Sequence, residues 1–182
     1  MNAVTTATSS DSIFKRVSTK ETPVVFDLAA VTPMLVHLLP TWDAAPLGAH
    51  LLPMFWMTFI AVYLYGAGVG ALAGLAAPLV NLVLTGLPAW KYLGVLSFEL
   101  VVFALATAWA VKRYPRVWLL APLGYLVAKI FSTSMQAATS VFGDIGAPLV
   151  FFKHSIVTAF AGLLVLAVIN VLCVKIAPKQ SA

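Results

Sequence analysis

Between Lys91 and Lys112 the chain runs for twenty residues with one charge, Glu99, among them. As a helix at about 1.5 Å per residue, that run is about 30 Å long, the thickness of a bilayer's hydrocarbon core. Soluble folds have few places to hide such a segment, and here it has company. The 182 residues are 62% hydrophobic and 9% charged, with a mean hydropathy of +0.99. Too few polar side chains exist to clothe a soluble globule, and the sequence predicts an all-α integral membrane protein.

Six segments read as spanning helices: residues 24–39, 51–65, 69–84, 92–111, 117–139 and 151–177. The second and third are separated only by "GAGVG". Joined as one helix, residues 51–84 would extend about 50 Å, well beyond the bilayer core, so a tight reversal is expected at Gly66–Gly68. The predicted organisation is a tail over residues 1–23, a six-helix membrane domain over 24–178 and a short tail over 179–182.

Charge orients the spans. The net charge of +5 comes from basic residues scattered between apolar runs, a pattern that reads as topology signal and not as a nucleic-acid-binding face. With six spans, "FKRVSTK", "KRYPR" and "KIAPK" fall on one side, which predicts cytoplasmic N- and C-termini in a multi-pass protein of the bacterial inner (cytoplasmic) membrane. The first 23 residues lack the apolar core and small-residue cleavage site of a signal peptide and read as a retained tail. The opposite side carries "PTWDAAPLGAH", "TGLPAWK" and "SVFGDIGAPLVFF", whose Pro, Gly and Trp suit structured turns and interfacial anchors.

Gly66, Gly70 and Gly74 recur every four residues. In lipid, where burial from water cannot draw helices together, such a stripe lets backbones approach closely. It predicts packing of the third span on a neighbouring helix, with contact to a second copy as the alternative.

The polar residues at membrane depth say most about function, because a charge at the bilayer centre costs about 2.5–3.5 kcal/mol on insertion scales. Glu99 falls about 10 Å below the outer start of the fourth span and Lys129 about 15 Å below the outer end of the fifth, so they can share a layer. Asn81, Gln136, Lys153 and His154 fall in the same outer half, whereas the inner half has little beyond Asn170. Two readings stay open: a structural ion pair between Glu99 and Lys129, or the lining of an outward-facing pocket for a polar solute.

Other chemistry finds less footing. His37 and His50 sit near span ends as interfacial residues, and no zinc-type spacing accompanies them, so no metal is expected. The single cysteine, Cys173, reads as an apolar filler. There is no GxSxG elbow, Walker A or nucleotide fingerprint, and Ser132, Thr133 and Ser134 after Lys129 read as bundle-facing polarity more readily than as a Ser/Lys dyad. Neither enzymatic activity nor a cofactor is expected.

The run "GAHLLPMFWMTFIAVYLYGAGVGALAGLAAPLVNLVLTGLPAWKYLGVLSFELVVFALATAW", residues 48–109, resembles the membrane-embedded substrate-binding S components of energy-coupling-factor vitamin transporters. A His/Pro start to the second span, the Gly-punctuated "YGAGVGALAG", the "PLVNLVLTGLP" end and a Glu-bearing fourth span carry the resemblance. It implies a six-helix subunit that captures a vitamin or related micronutrient at its outer side, while a transmembrane coupling subunit and an ATPase pair supply energy and the subunit topples to release its solute. It also implies ligand-facing positions at Asn81, Trp90, Glu99, Lys129, Gln136 and His154. The family's AxxxA face on the first span is absent, since Ala29 is followed four residues on by Pro33. Lys129 matches no particular vitamin subfamily. The alternatives are a polytopic membrane scaffold and a stand-alone secondary carrier using Glu99 for proton coupling; inverted repeats that would favour the carrier are not evident in the sequence.

Overall fold

The computed structural model describes residues 41–42, 45–46, 50–139, 141 and 147–176. The predicted first span, both tails and His37 lie outside the described residues. Two-residue strands β1 (Thr41–Trp42) and β2 (Ala45–Pro46) pair antiparallel, with Thr41 opposite Pro46. Everything regular after them is helical: α1 (Pro53–Tyr65), α2 (Ala67–Thr85), α3 (Trp90–Arg113), α4 (Leu120–Thr139), α5 (Pro148–Thr158) and α6 (Phe160–Ile176).

Among the described residues α2 and α3 are long and apolar enough to cross a membrane, and α5 with α6 makes a third such segment if the bent pair is one span. The apolar α1 is short, at 13 residues. At 20 residues α4 is long enough, but Lys129, Ser132, Thr133, Ser134 and Gln136 dilute its apolar character. Its amphipathicity is inverted relative to a soluble helix. Lys129, Ser132 and Gln136 are buried, while Leu123, Val127, Ile130 and Phe131 on the other face are exposed. That pattern suits a helix whose outer surroundings are lipid and whose neighbours supply the polar partners.

The expected reversal occurs at Gly66, whose φ of 91° lies where side chains are disfavoured, and whose N–H caps α1 by bonding Val62 O at 2.8 Å. The glycine stripe then packs on two sides. A Cβ at Gly70 would meet Val62 of α1 at 2.2 Å, and one at Gly74 would meet the Leu100 backbone of α3 at 3.1 Å. The stripe thus serves packing within the chain, with α2 wedged between α1 and α3.

The centre of the bundle is α3, packed on α1, α2 and α4. Its Leu100 and Phe103 meet Phe55 and Phe59 of α1, Tyr125 of α4 and Leu166 of α6 in the main core. The Phe55 ring stands edge-on to Phe103 at 5.2 Å and to Tyr125 at 4.8 Å, pairings worth about 0.5–1.5 kcal/mol beyond their area. The α3–α4 seam closes at Gly124, where a Cβ would come within 2.4 Å of Thr107 Cγ2. Thr107 turns its hydroxyl back on Phe103 O at 2.6 Å, so only its methyl faces the seam. At the start of α4, buried Asn170 of α6 accepts the otherwise unpaired Ala121 N–H at 2.9 Å, fixing that end to the last helix.

The sixth predicted segment, 151–177, is one helix in sequence and two in space. It bends by 60° between α5 and α6, at Ala159. The physical reason is the chain entering α1. His50 Nδ1 lies 3.3 Å from Thr158 O, and Gly162 is pressed so closely that a Cβ would sit 2.6 Å from His50 O and 2.5 Å from Leu52 Cγ. A backbone segment lodged against a helix at that distance turns it aside. Leu52 itself takes the left-handed conformation, φ 54° and ψ 47°, a strained choice for a residue with a branched side chain.

Candidate functional site: a buried acid–base pair

Glu99 follows Trp90 by nine residues, about 14 Å along α3, and Lys129 precedes Thr139 by ten, about 15 Å from the end of α4. Because the helices pack side by side after a short turn, those positions meet in one layer. Lys129 Nζ forks onto the carboxylate, at 2.7 Å from Oε2 and 2.9 Å from Oε1. Ser132, one turn after Lys129, donates its hydroxyl to the same Oε1 at 2.7 Å, and Lys129 O lies 3.1 Å from that hydroxyl. All three residues are buried, with Glu99 only 1% exposed.

The remaining surroundings of the ammonium are aromatic. The Phe151 ring of α5 has its centroid 5.0 Å from Lys129 Nζ, and the Tyr125 ring is 5.7 Å away. Both fall within cation–π range, an attraction that gains strength when the cation is desolvated. The acid therefore has three charge-assisted donor contacts and the base has one carboxylate plus two π faces. Replacing such a pair by apolar residues of similar volume is commonly neutral or stabilising, so stability alone gives little reason to keep it.

The other predicted positions have mixed placements. Gln136 is buried on the same face of α4, one turn beyond Ser132. Asn81 is buried too, but its amide is committed to the turn before α3: Nδ2 donates to Leu87 O at 2.8 Å, and Thr85 Oγ1 lies 3.3 Å from Oδ1. Asn81 thus holds the turn at Gly86, whose φ is 73°, and so fixes where α3 begins. Trp90, at the first turn of α3, is 74% exposed, and His154 on α5 is exposed as well. Of the six, the structure joins Glu99 directly to Lys129. No group of three or more His, Cys, Asp or Glu side chains that could hold a metal ion occurs among the described residues.

Ser132, Tyr125 and Phe151 were not among the predicted site residues. Ser132 was legible as bundle-facing polarity, and its spacing of three from Lys129 puts both on one helix face; its bond to Glu99 needed the α3–α4 register. Phe151 had no sequence signal, because it reaches Lys129 only through the bend at Ala159. No protein-family model, curated protein or solved structure matches the chain, so the resemblance of residues 48–109 rests on those residues alone.

Proposed function

We propose that this chain is a membrane-embedded subunit that binds a small polar solute, a vitamin or related micronutrient, at the Glu99–Lys129 layer. The observation that supports it most is a carboxylate and an ammonium buried near the middle of α3 and α4 and satisfied chiefly by each other. Such a pair has already been desolvated, so a solute's carboxylate or phosphate can replace Glu99 on Lys129, and a solute's amine or hydroxyl can replace Lys129 on Glu99, without a fresh desolvation cost for the protein. Ionisable groups within a bundle are functional by default.

In this reading residues 24–39 provide a further span, the layout has six spans with cytoplasmic termini, and the protein resides in the bacterial inner membrane. The 182 residues carry no Walker A motif, so energy for uptake comes from a transmembrane coupling subunit and ATPases, as the resemblance implies. Asn81, Trp90, Gln136 and His154 are carried as further solute contacts, Asn81 acting through the turn it holds.

A second reading has a specific observation behind it. The three bonds to Glu99 close the network on itself, as in a scaffold whose pair only sets helix register. Native mass spectrometry of the purified protein for a retained small molecule separates the two, followed by binding of a vitamin panel to wild type, Glu99→Gln and Lys129→Met. Solute retained by wild type and lost in both variants supports binding. Folded protein that binds nothing across the panel and still captures a protein partner makes it a scaffold.

A further inference from the structure

The helix α5 is held differently from the rest of the bundle. None of its 11 residues is buried, whereas Ala159, where it departs from α6 by 60°, is 3% exposed. The pivot is buried, whereas the arm is half-buried at Phe151, Ser155 and Ile156 and exposed at Leu149, Val150 and Val157. Among the described residues two polar contacts from other elements tether the arm, both within one turn of the pivot. Tyr125 Oη donates to Ser155 O at 3.4 Å, and His50 Nδ1 lies 3.3 Å from Thr158 O. These are long hydrogen bonds, at the weak end of the range. One turn beyond Ser155, away from the pivot, Phe151 lays its ring over Lys129 Nζ.

The three neighbours of that ammonium differ in how readily they can leave. Glu99 and Tyr125 belong to α3 and α4, whose seam is closed by the Gly124–Thr107 contact and by the aromatic core. Phe151 belongs to the arm. Exchanging its π face for an anionic group requires a swing of α5 that lifts Ile156 from the edge of the core and leaves the α3–α4 seam in place.

We propose that α5 is a hinged arm that opens about Ala159 to admit an anionic solute to Lys129, and that Phe151 shields the ammonium in the closed state and contacts the solute once bound. This rests on the reading of the Glu99–Lys129 layer as a solute site, but the motion can be tested without any solute.

Nitroxide labels at Leu149→Cys on α5 and Leu105→Cys on α3, both at exposed positions, report the arm by pulsed electron paramagnetic resonance in Cys173→Ser protein reconstituted in bilayers. His50→Ala and Tyr125→Phe each remove one tether. Each is expected to add a second distance population, with the open fraction rising about fivefold, the factor for about 1 kcal/mol of hydrogen bond. One unchanged narrow distribution in both variants and in their combination overturns the hinge. For the shielding role, Phe151→Ala speeds thiol labelling of Ser132→Cys and Phe151→Trp does not; equal rates in all three backgrounds overturn it. An arm that moves in a protein that binds no vitamin sinks the solute reading alone, and a binding protein with a rigid arm sinks the hinge alone.

Discussion

Replacing Lys129 by Met removes the charge and keeps most of the stem volume, so the effect on stability is electrostatic and not a cavity effect. In wild type the Glu99 carboxylate receives Lys129 Nζ at 2.7 and 2.9 Å and Ser132 Oγ at 2.7 Å. In Lys129→Met only the serine remains, beside an acid that is 1% exposed. Breaking a buried pair from one side costs about 3–5 kcal/mol. Because Ser132 still donates to the carboxylate, the lower end of that range, about 3 kcal/mol, is expected. The double variant Glu99→Gln/Lys129→Met has no charge to desolvate, and its amide oxygen still accepts from Ser132; it should lie within about 1 kcal/mol of wild type. Reversible unfolding in micelles, by denaturing-detergent titration or steric trapping, measures all four corners of the cycle. A coupling energy of about 2 kcal/mol or more is expected. A Lys129→Met protein within about 0.5 kcal/mol of wild type, or a double variant that loses the sum of the singles, would refute the claim that these charges are desolvated together.

Two further outcomes follow from packing and from charge. Gly124→Ala drives a Cβ to 2.4 Å from Thr107 Cγ2 and should cost about 1–3 kcal/mol, largely restored by Thr107→Ser, which deletes that methyl; Gly86→Ala has nothing within 4 Å and should cost only about 1 kcal/mol, for its φ of 73°. The same unfolding titration checks the order, and a larger loss at Gly86 than at Gly124 contradicts the packing account. In Cys173→Ser protein, membrane-impermeant thiol reagents should reach Ala45→Cys and Tyr114→Cys from opposite sides of the bilayer; same-side labelling breaks the six-span layout.

How much of this was readable in the chain depended on the range of the interaction. The reversal at Gly66 was legible because one residue type and a length limit decide it: a helix through residues 51–84 is too long for a bilayer, and glycine tolerates the required positive φ. Glu99 and Lys129 were legible as a layer because helical rise converts sequence position to depth. Asn81 was seen as polar at depth, but its bond to Leu87 O depends on the turn after Gly86, which periodicity does not describe. The bend at Ala159 was illegible for a stronger reason. "FFKHSIVTAFAGLLVLAVINVLCVKIA" has no proline, and the cause lies more than a hundred residues away, in the backbone of His50–Leu52 pressed on Gly162.

That distant cause also explains how the bundle can hold a rigid scaffold and a loosely tethered arm in one short chain. Near the α3–α4 turn, Asn170 pins the start of α4, Gly124 locks on Thr107, and Phe55, Phe103 and Tyr125 interlock. Above them α5 buries no residue, rests Ile156 on the core edge and, among the described residues, is tethered by two long hydrogen bonds. Free energies of local opening follow buried contacts, so the arm belongs to the low-stability end and the α3–α4 seam to the high end. The Glu99–Lys129 pair lies at the junction, its carboxylate fixed by the rigid part and one face of its ammonium covered by the arm. A pair needed only for helix register would do as well deep in the seam, where Thr107 and Gly124 already meet. Its place beneath α5, which buries no residue, is what a site that exchanges partners requires.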